Sequence, residues 1–251
     1  MKKFDKALNL ILPTITFLCL LVIWGVASLV IKDEYILPSI SQTFSRLLAL
    51  AKDGNFYRAL FSTLFRSLIG FVVSFVLASV FATLTIKIKY AERIISPIIR
   101  VIRALPTIAV VLLLLFWTNS KIAPIVVTVL VVLPTTYTHL TNAFFGLDKM
   151  VSEAGRVDGA NEYKVLINIE IPQMLPSVYN AIGSGISLNF KLMVAAEVIS
   201  QTANSLGFLL NTSKVYFEIA TMLAIVLVAV TLGVIVEWIF NRLSAKASDW
   251  K

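Results

Sequence analysis

Cysteine and histidine are almost absent from this sequence, with one of each in 251 residues. Cys19 has no partner for an internal disulfide and lies in an apolar run, which excludes a disulfide framework and a cysteine-based metal site. Charge is scarce too: 14% of the residues are Asp, Glu, Lys or Arg, where a soluble domain has about a quarter. A phosphate-binding loop is also missing. Gly183-Ser184-Gly185 lacks the lysine that such a loop needs and sits inside an apolar run. The chain therefore has no nucleotide, cofactor or metal site of its own to offer.

What is abundant is apolar. Hydrophobic residues make up 58% of the chain, enough for about six bilayer crossings at about 20 residues each. The expectation is an all-α polytopic membrane protein with six transmembrane helices. The net charge of +8 then reports topology rather than nucleic-acid binding. The first span, residues 7–31, follows Lys2, Lys3 and Lys6 and reads as a retained helix, because no small-residue cleavage site closes it. The others fall at 67–86 (begun a turn or more earlier), 95–117, 122–147, 176–202 and 219–240. Six spans place both termini on one side. The segments on that side hold 14 basic residues against seven on the other, so both termini are expected in the cytoplasm.

Two connections are long. Outside, Phe44, Leu47, Leu48 and Ala51 mark one face of a surface helix that Ser39 or Ser41 caps, with Gly54 past its end. Inside, residues 148–172 read as two short helices joined at Gly159. Asp148 caps the first and Asn161 the second, and Pro172 and Pro176 stop the second before the fifth span. Such a pair makes a rigid knuckle projecting into the cytoplasm. Its exposed carboxylate, Glu153, would otherwise belong to an amphipathic helix lying on the bilayer.

Within the spans, Glu197 and Lys191 need a reason to be there, since an ionisable residue at the helix centre costs about 2.5–3.5 kcal/mol on insertion scales. Six residues apart on a helix, they do not face each other. Glu197 reads equally as a pathway residue or as a bundle hydrogen-bond acceptor. Lys191 reads as a solute contact or a snorkelling side chain, and Arg66 as a snorkelling outer anchor or an attractor of anionic solute. Gly183, Ser184, Gly185 and Ser187 form a small-residue stripe suited to helix packing or to lining a path. Pro106 and Pro134 are expected to kink the third and fourth spans. The rival functions are a channel or secondary transporter and, further off, an intramembrane serine hydrolase pairing Ser184 with His139.

The inner connection carries the sharpest signal. Glu153-Ala154-Gly155, Asp158-Gly159-Ala160 and Ile171-Pro172 stand at the spacing of the EAA loop, and the sequence resembles the permease subunits of ABC importers. Ile36-Leu37-Pro38-Ser39, Thr63-Leu64 with Arg66 and Gly70-Phe71, Leu105-Pro106-Thr107-Ile108-Ala109 and Ala196-Glu197-Val198-Ile199 resemble the nitrate/sulfonate/taurine and thiamine-precursor type. Gly155 stands where a second alanine is usual, and Ser205-Leu206-Gly207 replaces Gly-Leu-Gly. The resemblance implies a type I importer (MetI-like) permease fold, one permease domain over 1–251 with its core at about 60–240. It also implies ATPase subunits that bind ATP and Mg, contacted through Glu153, Ala154, Gly155, Asp158, Gly159, Ala160 and Pro172. An extracytoplasmic solute-binding protein, a second permease copy and a bacterial inner membrane complete the expectation.

Overall fold

A computed structural model describes residues 2–248; Lys251, one of the basic residues counted toward the inner side, lies outside them. Every regular element among the described residues is helical. In chain order they are α1 (Lys2–Ile31), α2 (Ile40–Leu50), α3 (Gly54–Lys87), α4 (Ala91–Ala104), α5 (Thr107–Trp117) and α6 (Ala123–Phe145). Then come α7 (Lys149–Val157), α8 (Glu162–Val165), a π-helical turn (Leu166–Glu170), α9 (Ile171–Ser200), α10 (Leu206–Val215) and α11 (Ile219–Ser248). Five helices are long and apolar enough to cross a membrane, and the bent pair α4–α5 makes a sixth crossing if taken as one.

The bundle is built around α9, which packs on α3, α6, α10 and α11 and touches α5. Missing side chains set how closely these helices approach. A Cβ on Gly183 would sit 2.5 Å from Phe240 Cβ, one on Gly70 2.5 Å from Thr128 Oγ1, and one on Gly185 2.9 Å from Phe71. Gly183 and Gly185 on α9 thus lie at close helix–helix contacts, as packing between helices in lipid favours. Ser184 itself is exposed and bonds to the carbonyl of Asn180 in its own helix at 2.8 Å. Among the described residues no hydrogen bond joins it to His139.

Ser39 caps α2 through a full capping box with Gln42. Gly54, read as the residue past that helix, instead opens α3, capped by Asp53. The second span accordingly begins three to four turns before Ser67, and the outer connection shrinks.

The third span is not one helix. α4 and α5 meet at 93°. Pro106 offers no N–H and drives Leu105 out of the helical region (φ −66°, ψ 129°), so the chain turns instead of kinking. Pro134, by contrast, stays inside a continuous α6.

A second correction concerns Pro172 and Pro176, which do not stop the chain. The helix runs from Glu162 to Ser200 without interruption because the turn before Pro172 widens to a π-helix. The amide of Ile171 bonds five residues back, to Leu166. Widening moves the carbonyl of residue 168 away from the proline ring that would otherwise strike it. Beyond the fifth span, α10 fills a connection for which no helix was expected, with Leu206, Leu209 and Leu210 packed into the core.

Candidate functional site

The knuckle is assembled from local rules. The Asp148 carboxylate accepts the Met150 amide at 2.9 Å and starts α7. Gly159 ends it with φ +85°, in the left-handed region. The amides of Gly159 and Ala160 donate back to the carbonyls of Arg156 and Gly155, both at 3.1 Å, which is a complete Schellman closure. Asn161 then caps α8 by accepting the Lys164 amide at 2.9 Å.

Three contacts fasten α7 to the start of the fifth span. The amide of Asp148 donates to Gln173 Oε1 at 3.0 Å. Gly155 leaves room for Ile169, whose Cδ1 would lie 2.5 Å from an added Cβ; the alanine usual at this position does not fit without moving that side chain. Across the glycine joint, Arg156 makes a bidentate pair with Glu162 at 2.9 and 3.1 Å and approaches Glu170 at 3.5 Å. Donating to the Glu162 carboxylate raises the Arg156 pKa above its ordinary value, so the guanidinium stays charged at any working pH.

The outer surface of the knuckle is free for contact. Met150, Val157 and Tyr163 are 79%, 86% and 69% exposed. Glu153, Ala154 and Asp158 are exposed beside them, and Glu153 enters no ion pair among the described residues. Pro172 lies at the opening of α9, half-buried.

At the other end of α9 sits a buried polar cluster. Glu197 is 0% exposed. Its Oε1 accepts from Arg66 Nε and Nη2, each at 2.8 Å, and its Oε2 accepts from Thr63 Oγ1 at 2.8 Å and the Gly207 amide at 3.4 Å. Arg66 Nη2 also donates to the Asn204 carbonyl at 3.3 Å, and the Leu206 amide donates to Thr63 Oγ1 at 3.0 Å. A carboxylate thus faces the N-terminus of α10, where a negative charge is favoured. Arg66 is turned inward onto Glu197, its side chain 14% exposed. Lys191 sits apart, with Nζ 3.6 Å from Glu237 Oε1 on α11.

The structure brings Glu153, Ala154, Gly155, Asp158, Gly159, Ala160 and Pro172 into one body and separates it from Glu197 and Arg66 by the length of α9. Gln173, Ile169 and Gly207 were missed. Only Gly207 left a trace in the sequence, as the one glycine kept from the Gly-Leu-Gly pattern.

Comparison with known proteins agrees with this architecture. Residues 74–249 match the family model described as binding-protein-dependent transport system inner membrane component. The chain is 25% identical to the riboflavin transport system permease protein RibX of Chloroflexus aurantiacus, over 92% of this chain and 89% of that one. It is 26% identical to the formylaminopyrimidine transport permease protein ThiX of Halalkalibacterium halodurans, over 100% and 99%. With the taurine transport system permease protein TauC of Escherichia coli it shares 24% over 90% and 84%. Among solved structures, a chain of the MetNI methionine ABC transporter in an inward-facing conformation aligns with a TM-score of 0.61 at 18% identity, covering 76% of this chain and 95% of that one. The chain belongs to the binding-protein-dependent transport system inner membrane components: it is the permease subunit of an ABC importer, which works with separate ATPase subunits and a substrate-binding protein.

Proposed function

We propose that the knuckle at 148–172 is the surface through which the ATPase subunits drive this permease. The observation that carries the reading is a rigid, exposed body with an unpaired carboxylate, fastened by Asp148–Gln173 and Gly155–Ile169 to the one helix that touches most of the bundle. A displacement of α7 is passed to α9 rather than absorbed by a loop, because the helix from Glu162 to Ser200 is continuous. Glu153 supplies the charge for a cation in the ATPase groove, while Ala154 and Ala160 keep the approach close. This reading puts both termini and the knuckle in the cytoplasm, and pairs two copies of the chain around the route.

The test is Glu153→Lys, with Gly159→Val as a second variant. Both are expected to insert and to lose the stimulation of ATP hydrolysis by the loaded binding protein. Undiminished stimulation in both variants would overturn the assignment.

The solute is read as a small heterocycle of the thiamine-precursor kind. Support comes from the pairing of Arg66, the cation foreseen as an anion contact, with the buried Glu197. RibX and ThiX, named for heterocycles, span nearly the whole chain. Calorimetric titration of the cognate binding protein with a formylaminopyrimidine, riboflavin and taurine decides it; binding of taurine alone would overturn this reading in favour of a sulfonate.

A further inference from the structure

The bend between α4 and α5 poses a problem that lipid cannot solve. α5 has 11 residues, and at 1.5 Å per residue it descends at most about 16 Å, roughly half of a hydrocarbon core about 30 Å thick. Its outer end is fixed: residues 118–122 are tied to the end of the fifth span by a hydrogen bond from Thr202 Oγ1 to the Ser120 carbonyl. From the other side, Arg103 Nη2 reaches the carbonyl of Pro134, halfway along α6, at 3.2 Å, and Thr138 Oγ1 at 2.7 Å. Both measures put the bend inside the thickness of the bilayer.

At that depth the chain is broken and uncovered. Ala104, Leu105 and Pro106 are exposed, Leu105 at 42%. α5 starts on Pro106 with no side-chain cap, so the first amides of the helix, on Thr107 and the two residues after it, have no side-chain partner. Non-helical backbone at membrane depth is tolerated only when protein covers it or water reaches it. Among the described residues no helix covers it.

We propose that the bend at Leu105–Pro106 forms part of the wall of the water-filled solute route, and that this face of α4–α5 is turned away from lipid. The placement requires only that the chain forms a solute route, not that the knuckle couples it to ATP. The free amides of the first turn of α5 then offer hydrogen bonds to water or to a passing solute within the membrane, and the bend supplies polar groups that Arg66 and Glu197, already satisfied by each other, do not.

The experiment uses the permease assembled with its ATPase subunits in lipid vesicles, in a Cys19→Ser background that removes the single native thiol. Ala104→Cys and Leu105→Cys are compared with Val22→Cys on α1, using a charged methanethiosulfonate present on both sides. A thiol in hydrocarbon does not ionise, and only the thiolate reacts, so the two bend positions are expected to label roughly a hundredfold faster than Val22→Cys. Hydrogen exchange of the unsubstituted transporter, which needs no variant to fold, is expected to show rapid exchange at residues 107–109 and protection in the middle of α6. Labelling no faster than Val22→Cys, or amides at 107–109 as protected as those of α6, overturns the placement. ATP hydrolysis in the same vesicles, with and without Glu153→Lys, reads the coupling role separately: a sealed bend beside Glu153-dependent hydrolysis removes this inference and leaves that one standing.

Discussion

Glu197 shows how a carboxylate is kept inside a membrane bundle: every oxygen is taken, by a guanidinium, a hydroxyl and a backbone amide. The pair is structural currency of an asymmetric kind. Replacing both partners by apolar residues is often neutral, whereas removing one leaves a buried charge and costs about 3–5 kcal/mol. Arg66→Met and Glu197→Leu alone are therefore expected to lower the thermal midpoint in detergent sharply, and the double variant to recover most of the loss. A double-variant loss equal to the sum of the two single losses would show that the pair is not coupled. Gly207 is the neighbour that makes the cluster possible, since a Cβ there would lie within 2.6 Å of the Glu197 backbone. Gly207→Ala should cost about 1–3 kcal/mol by overpacking, while Gly54→Ala, with nothing within 4 Å, should cost nothing. Thermal unfolding of the two variants side by side checks the contrast. The sequence left Glu197 open between pathway residue and bundle acceptor and did not show its partners, because it lies more than 130 residues from Thr63 and Arg66 and meets them only through the crossing of α3 and α9.

The knuckle tests whether stiffness in one element matters. Gly159 has open space around it, so its requirement is conformational alone, and Gly159→Ala should cost about 1 kcal/mol through the left-handed backbone. Asn161→Ala should cost a similar amount by leaving the Lys164 amide uncapped. Because both act on the joint, hydrogen exchange is expected to accelerate at residues 158–165 and to stay unchanged in α11; acceleration spread over the whole chain would contradict a local hinge. The caps at Asp148 and Asn161 and the joint at Gly159 were readable because each depends on residues at most five apart. Pro172 misled for the opposite reason: proline ends a helix by steric clash, and a π-turn relieves the clash using groups that sequence spacing does not display. Pro106 was read as a kink and is a corner, since hydropathy sees residues 95–117 as one apolar run and is blind to the direction in which the chain leaves it.

At the scale of the whole molecule the issue is which face is which. The ends of α3 and α6, the start of α9 and the end of α11 share one face, joined by Asp148 to Gln173 and by Ser244 Oγ to the Pro176 carbonyl at 2.9 Å. Thr202 and Ser120 join the connections on the opposite face. The first face gathers Lys87, Lys89, Arg93, Lys149, Arg156 and Arg242, while the short connection between α5 and α6 carries Lys121 alone. Charge bias is counted over short connections near the span ends, and this asymmetry is the ground for the proposed cytoplasmic side of the knuckle. In a Cys19→Ser background, Lys121→Cys is expected to react with an impermeant maleimide in intact cells, and Lys149→Cys only once the membrane is opened. The reverse pattern would put Glu153 on the same side as the binding protein, beyond reach of any ATPase, and would leave the fold intact while removing the mechanism built on it.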